Sequence, residues 1–121
     1  MPISRRSLPI LALATGGLAT AQAQPAWAPS QTMRVIIPFT PGGTMDPVVR
    51  VVQEALQRDL GQPVVLEHRP GAATVVGTQE VARAPADGHT LIMIANSFAA
   101  NVTLRPSMPY KPLEDFAPIA Q

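Results

Sequence analysis

Three short apolar runs rich in β-branched residues, separated by two segments with helical patterning, restrict the folds open to this 121-residue chain. The runs cover residues 33–39 (MRVIIPF), 63–67 (PVVLE) and 90–95 (TLIMIA). A continuous apolar run of this kind is typical of a strand buried on both faces. The order strand, helix, strand, helix, strand predicts an α/β fold whose parallel strands are joined by right-handed crossovers.

The two helical segments show where each helix begins and ends. The first has apolar residues at the spacing of an amphipathic helix, namely Met45, Val49, Val52, Leu56 and Leu60. Asp46 before Pro47 predicts an N-cap and first-turn pair, and Gly61 predicts the left-handed residue that ends the helix. The second helix is predicted over residues 74–83, ahead of Pro85.

The C-terminal part of the chain carries weaker patterns. Residues 96–104 are predicted to form a loop with a helical turn, residues 105–116 are Pro-rich and irregular, and residues 117–121 resemble the start of another strand. A parallel sheet needs helices on both faces. Since two helices and three or four strands cannot supply them, we expect an incomplete α/β lobe that forms the N-terminal part of a larger fold.

The first 23 residues have the pattern of a secretory signal peptide. Arg5 and Arg6 precede an apolar stretch over residues 8–21, and Ala21-Gln22-Ala23 places small residues before a cleavage site after Ala23. The stretch is shorter than the roughly 20 residues that a membrane span needs. We therefore expect export to the periplasm by the general secretory or the twin-arginine route. Residues 24–32 are then a leader, and residues 33–121 belong to the first lobe.

Composition argues against several classes of function. The formal net charge is +1, which leaves no basic surface for nucleic acid. The chain has no cysteine, so disulfides, thiol catalysis and Cys-ligated zinc are excluded. His68 and His89 have neither metal-ligand spacing nor a recognisable serine and aspartate partner pattern. We therefore predict surface histidines, no cofactor, no metal and no enzyme activity.

The segment that joins the first strand to the first helix is the candidate binding site. Ligands of open α/β sheets bind beyond the carboxyl ends of the strands, and a helix N-terminus offers free N–H groups and a partial positive charge that favour anions. Two adjacent glycines let the backbone approach a ligand closely. The alternative interpretation is a simple flexible turn. The predicted contact residues are Phe39 as a wall, Thr40, Pro41, Gly42, Gly43 and Thr44 along the loop, and Asp46.

Polar residues after the third strand are expected at the same edge of the sheet. Asn96 and Ser97, with Asn101 further along, can contact the second polar end of a ligand. The alternative is ordinary capping of the loop backbone. Neither a G-x-G-x-x-G pattern nor a P-loop lysine follows the first strand, so a carboxylate suits the site better than a nucleotide phosphate.

Five segments of the chain resemble one protein family, over residues 34–46, 60–67, 69–72, 81–88 and 109–118. In order and spacing they are similar to the Bug, or TctC, family, the extracytoplasmic binding proteins of tripartite tricarboxylate transporters. The resemblance implies a type II periplasmic-binding-protein fold with two α/β lobes and a ligand cleft between them. It also implies that backbone amides of Thr40–Thr44 hold a carboxylate, helped by bridging waters. Members are longer, so the second lobe is expected to be absent from this chain.

A few positions depart from the family pattern. Members usually have Asn where His68 stands and Tyr where His89 stands, a glycine is common at Ala73 or Thr74, and Pro47 is unusual in the first helical turn. These departures concern the ligand and the loops, not the fold.

The function expected from the resemblance is capture of a small carboxylate in the periplasm and delivery to the membrane subunits of a tripartite transporter. Closure of two lobes of a monomeric protein on the ligand is the expected mechanism. The alternatives are a periplasmic sensor that feeds a two-component signalling system, an exported α/β enzyme, and a nonfunctional truncated copy.

Overall fold

The computed structural model describes residues 27–120, so the predicted signal peptide lies outside the described residues. The strands are β1 (Met33–Ile37), β2 (Val64–His68) and β3 (Thr90–Ile92). The helices are α1 (Met45–Leu60), α2 (Val75–Ala82) and α3 (Asn96–Leu104), and a short 3₁₀ turn (Ala72–Thr74) precedes α2. Within the described range, no helix combines the length and the apolar character that a membrane crossing requires.

The three strands form one parallel sheet in the order β2-β1-β3. The central strand β1 is the most deeply buried element, and Ile36 and Ile37 are fully buried. The strand ends at Ile37, because Pro38 has no N–H to continue the ladder. The predicted α/β fold with a parallel βαβαβ order is confirmed.

The two crossover helices cover opposite faces of the sheet. On one face, the side chains of Val35 and Ile37 belong to the same apolar cluster as Val49 of α1, with Leu56 and Leu60 packed against it. On the other face lies α2, where a Cβ on Gly77 would come within 2.7 Å of the Arg69 carbonyl and 3.0 Å of Pro38. Because β2 and β3 flank β1 on opposite sides, crossovers of one hand require this two-faced arrangement.

Both ends of α1 can be compared with their predictions. Gly61 adopts the left-handed conformation (φ 67°) and its N–H donates to the Gln57 carbonyl at 3.1 Å, so the predicted end is confirmed. The predicted N-cap is wrong. The helix begins at Met45 with Thr44 in the N-cap position, and Asp46 lies inside the first turn. Its carboxylate bonds the preceding loop instead of the helix N–H groups.

Two predictions for the C-terminal part are also wrong. Residues 96–104 form a continuous helix, α3, because its residues make long-range contacts that the local pattern does not show. Phe98 stacks on Tyr110 and meets Phe116 edge-on, with ring centroids 6.1 and 5.6 Å apart. Residues 117–120 contain no strand, since no described neighbour pairs with them and Ile119 is 78% exposed.

The leader residues that the structure describes pack against the turn before β3. The backbone N–H of Ser30 donates to Nε2 of His89 at 3.1 Å, and the Trp27 ring lies edge-on to His89 with centroids 5.7 Å apart. His89 was predicted to be a surface residue, but only 12% of its side chain is exposed. It lies at the amino end of the strands, because its carbonyl accepts the N–H of Arg34 near the start of β1.

Candidate functional site

A cleft lies where the carboxyl ends of β1 and β3 meet. The chain leaves β1 toward α1 on one face, whereas it leaves β3 toward α3, which packs against the turn before α2. Neighbouring parallel strands whose connections diverge in this way open a crevice between them, the usual ligand position in open α/β sheets. The cleft has a volume of about 320 Å³, and its lining comprises Phe39, Thr40, Gly43, Thr44, Met45, Ala95 and Asn96.

The loop before α1 presents its N–H groups unequally. Gly42 has a positive φ of 80°, and its N–H donates to Oδ2 of Asp46 at 2.7 Å. The protein's own carboxylate therefore occupies that donor. Neither the Gly43 nor the Thr44 N–H forms a well-aligned hydrogen bond with a described residue, although the turn over Pro41 and Gly42 brings the Gly43 N–H toward the Thr40 carbonyl. These two N–H groups lie at the N-terminus of α1, where the aligned peptide dipoles favour an anion.

No residue that lines the cleft carries a charge. Hydroxyl groups of Thr40 and Thr44 and the amide of Asn96 are the polar side-chain groups around it. Backbone N–H groups and neutral side chains can bind a carboxylate through hydrogen bonds without a cationic partner. The lining of Phe39, Met45 and Ala95 is apolar and suits a short carbon chain between two polar ends.

His68 lies behind this loop, at the end of β2. Its Nδ1 is 3.0 Å from the Phe39 carbonyl oxygen, and its Nε2 is 3.8 Å from Oδ1 of Asp46. Only 22% of its side chain is exposed, so the prediction of a surface histidine is wrong here too. The one available signal was its place at the carboxyl end of a predicted strand, next to the strand that carries the loop.

A second groove of about 360 Å³ runs between α1 and the edge strand β2. It is lined by Asp46, Arg50, Gln53, Val64, Val65, Leu66 and His68. The amide of Gln53 donates to the Val64 carbonyl at 2.7 Å and so satisfies part of the strand edge. This groove lacks a helix N-terminus with unpaired N–H groups, and the cleft beside β1 and β3 is the better candidate for anion binding.

The structure brings five of the predicted site residues together around the cleft: Phe39, Thr40, Gly43, Thr44 and Asn96. The other four predicted residues do not line it. Pro41 is exposed, and Gly42 is bonded to Asp46, which lines the second groove. The hydroxyl of Ser97 is buried without a hydrogen-bond partner among the described residues.

The backbone conformation of the loop that follows β2, which we call the second loop (residues 69–74), was not predicted from the sequence, although residues 69–72 resemble the family. Three consecutive non-glycine residues of this loop have positive φ angles, namely Ala72 (48°), Ala73 (54°) and Thr74 (80°). Two side chains from the C-terminal part of the chain bond the carbonyl groups of this loop. Asn101 of α3 donates to the Ala73 carbonyl at 2.7 Å, and Arg105, just after α3, donates to the Ala72 carbonyl at 2.7 Å. Asn101, expected near the ligand, instead supports this loop.

Ion pairs fix the start of the second loop to the sheet and to α2. Arg34 bonds Glu67 at 2.6 Å and Glu80 at 3.0 Å, and Arg69 bonds the same two carboxylates at 2.9 and 3.0 Å. The hydrogen bond from Arg34 lowers the pKa of Glu67 below its ordinary value, and the hydrogen bond from Glu67 raises the pKa of Arg34. The described residues contain no cluster of three or more potential metal ligands.

Comparison with known proteins gives one consistent result. The model of the tripartite tricarboxylate transporter family receptor, TctC, matches residues 48–121. Protein BugT of Bordetella pertussis is 42% identical over 110 residues, which cover 89% of this chain and 33% of BugT. The chain thus spans about a third of the length of the curated relatives that it matches.

Solved structures of binding proteins share the fold. The structure of the periplasmic binding protein BugD superposes with a TM-score of 0.71 at 34% identity, over 75% of this chain and 30% of BugD. The structure of MatC from Rhodopseudomonas palustris, solved with bound malate, gives a TM-score of 0.69 at 38% identity, over 74% of this chain and 31% of MatC. The chain therefore belongs to the TctC family of tripartite tricarboxylate transporter receptors.

Proposed function

We propose that residues 33–121 form the first part of one α/β lobe of an exported receptor that binds a small dicarboxylate in the periplasm. The observation that carries the proposal is a pair of N–H groups at the start of α1, those of Gly43 and Thr44, which form no well-aligned hydrogen bond with a described residue and belong to residues that line an uncharged cleft. One carboxylate of the ligand accepts hydrogen bonds from these two N–H groups. The side-chain amide of Asn96 donates a hydrogen bond to the second carboxylate. That MatC was solved with malate supports this ligand class.

The remaining parts of the proposal follow from the family. The first 23 residues direct export and are removed, and BugD as a periplasmic protein supports the location. A second lobe closes on the ligand, and the loaded receptor docks on the membrane subunits of a tripartite transporter, which the family description supports. The receptor acts as a monomer and carries out no chemical reaction on its ligand.

A thermal-shift screen of the protein expressed from the complete gene tests the ligand class. Malate, longer dicarboxylates and citrate are compared with sugars and nucleotides. A ligand at 100 times its dissociation constant stabilises the folded state by about 2.7 kcal/mol, which a thermal shift detects. Stabilisation by at least one di- or tricarboxylate is expected. A response to sugars or nucleotides with none to the acids would refute the proposal.

Gly43→Ala tests the position of the site. The added Cβ would lie 3.5 Å from the Thr40 carbonyl oxygen, an ordinary contact, so stability changes by less than about 0.5 kcal/mol. Because the methyl group hinders close approach of a carboxylate to the backbone, affinity for the stabilising acid falls about tenfold. Thr103→Ala, an exposed position on α3 outside the cleft, serves as the control and leaves affinity unchanged. Calorimetric titration measures both, and equal affinities would place the ligand elsewhere.

A further inference from the structure

The side chain of His68, at the end of β2, bonds the loop that follows β1. This is the loop that binds the carboxylate in the proposed function. A carbonyl oxygen only accepts hydrogen bonds, so Nδ1 of His68 must carry the proton in its 3.0 Å bond to Phe39. This fixes the tautomer of the neutral ring. Its second nitrogen, Nε2, then points a lone pair at Oδ1 of Asp46, 3.8 Å away, unless it also binds a proton.

Asp46 is the partner through which His68 reaches the loop. Its Oδ2 holds the Gly42 N–H, and its Oδ1 is buried without a hydrogen-bond partner among the described residues. Only 17% of the Asp46 side chain is exposed. A carboxylate oxygen so poorly hydrated is stabilised by a nearby positive charge, which protonated His68 supplies at its Nε2.

Three other charged groups lie near His68 in the groove or in sequence. Arg50 of α1 lines the same groove as His68 and Asp46 but forms no ion pair with a described residue. The neighbours of His68 in sequence, Glu67 and Arg69, are engaged with each other, and both also bond to partners on other elements. Within the described part of the chain, the ion-pair partner of Asp46 is therefore His68.

We propose, on the basis of the proposed function, that His68 is a positioning residue for the carboxylate-binding loop and makes ligand affinity depend on pH. Its Nδ1–H anchors the Phe39 carbonyl in either charge state. When Nε2 is protonated, its charge offsets that of Asp46, whose carboxylate accepts the N–H of Gly42, the residue next to Gly43. When His68 is neutral, the uncompensated charge of Asp46 repels an anionic ligand. Affinity for a carboxylate therefore falls as pH rises.

Two substitutions separate the roles of the two nitrogens. His68→Asn keeps a donor at the position of Nδ1 but has no ionisable group, so the loop stays anchored and the compensating charge is lost. His68→Leu removes both. His89→Asn is the matched control, because it removes a histidine that lies at the amino end of the strands, away from the cleft.

Calorimetric titration of the protein expressed from the complete gene, with malate as the probe, tests the inference between about pH 5 and pH 8, the interval in which histidine changes charge. His68→Asn matches the wild type at the upper end and binds roughly three- to tenfold more weakly at the lower end, where one neighbouring charge is missing. His68→Leu binds more weakly at every pH. Since the ionisation of malate is common to all variants, the comparison is made between variants at each pH.

The inference is supported if the gap between wild type and His68→Asn opens only in acid and His89→Asn follows the wild type. Equal affinities of wild type and His68→Asn at every pH, with wild type still binding malate, overturn it and leave the proposed function standing. If the wild type binds no carboxylate at any pH, the proposed function itself fails.

Discussion

The two loops that follow β1 and β2 occupy equivalent places in the fold but differ in how their backbone groups are satisfied. The first, residues 38–44, is largely exposed and has its positive φ at a glycine, and the described residues offer no well-aligned hydrogen bond to the N–H groups of Gly43 and Thr44. The second, residues 69–74, contains three consecutive non-glycine residues at positive φ. Side chains of Glu80 in α2, Asn101 in α3 and Arg105 just after α3 bond to it.

The contrast shows where a binding function can reside at this edge of the sheet. Backbone groups that the protein itself satisfies are not available to a ligand, whereas unpaired N–H groups at a helix N-terminus require a partner. Left-handed strain at non-glycine residues persists where the surroundings enforce it. In this molecule the enforcing side chains, Asn101 and Arg105, serve the structure of the second loop. The first loop is therefore the one of the two in which we propose that a ligand binds.

The largest expected effect comes from removing the support of the second loop. Asn101 is 6% exposed and its amide donates to the Ala73 carbonyl and to Oγ1 of Thr74. Asn101→Ala leaves these buried groups without their partner, which costs about 2–3 kcal/mol. Urea unfolding measures the loss, and hydrogen exchange over residues 69–82 locates it.

Thr103→Ala, on the exposed side of the same helix, is the control and changes stability by less than about 0.5 kcal/mol. The contrast between the loops also requires that Asn101→Ala weakens carboxylate affinity far less than Gly43→Ala does. A loss of affinity larger than that of Gly43→Ala would show that the second loop takes part in binding.

A smaller effect is expected from the ion pairs that hold the start of the second loop. The hydrogen bond from Arg34 lowers the pKa of Glu67, so the ionised carboxylate stabilises the folded state. This contribution is complete above the ordinary glutamate range, at about pH 4.3. It is lost as pH falls through the pKa that Glu67 has in the folded protein, which is lower than its ordinary pKa. Glu67→Gln therefore lowers stability by about 1 kcal/mol at neutral pH, because the pairs are partly exposed.

Urea unfolding measured over a range of pH tests whether the stabilisation by Glu67 is lost in acid, as its lowered pKa requires. The difference between wild type and Glu67→Gln must shrink in acid, whereas the exposed Glu54→Gln on α1 should differ little from the wild type throughout. A difference that stays constant down to low pH would mean that the Glu67 side chain contributes through packing and not through its charge.

Local patterns were sufficient for the central part of the fold. The apolar run of β1 and the spacing of Val49, Leu56 and Leu60 predicted a strand and a helix that meet in one cluster. Because parallel strands end at the same edge, the order of the elements also predicted that the first loop and Asn96 lie together, as they do around the cleft. These predictions depend on periodicity and topology, which are readable from one sequence.

The features that were missed depend on contacts between distant parts of the chain. Asn101 bonds a carbonyl 28 positions away, and His68 bonds one 29 positions away. A buried histidine leaves no local signal, since its burial is imposed by neighbours in space. For the left-handed residues of the second loop, the one signal was the glycine that the family commonly has at Ala73 or Thr74. The nature of α3 was missed because its aromatic partners follow it in a segment without regular structure.

The smallest expected effect has the opposite sign and tests whether the second loop is strained. A left-handed conformation costs a non-glycine residue about 1–2 kcal/mol, and Ala73 has φ 54° and ψ 51°. Ala73→Gly relieves this strain, while the greater freedom of glycine in the unfolded chain subtracts about 0.4–1 kcal/mol. The net change is a stabilisation of about 0.8 kcal/mol, the middle of the range of roughly 0–1.6 kcal/mol that these estimates span. Ala100→Gly, at an exposed and regular position in α3, should instead destabilise by about 1 kcal/mol. Urea unfolding of the two variants side by side decides the matter. Similar destabilisation by both would show that Ala73 is not strained, and the difference between the two loops would then rest on hydrogen bonding alone.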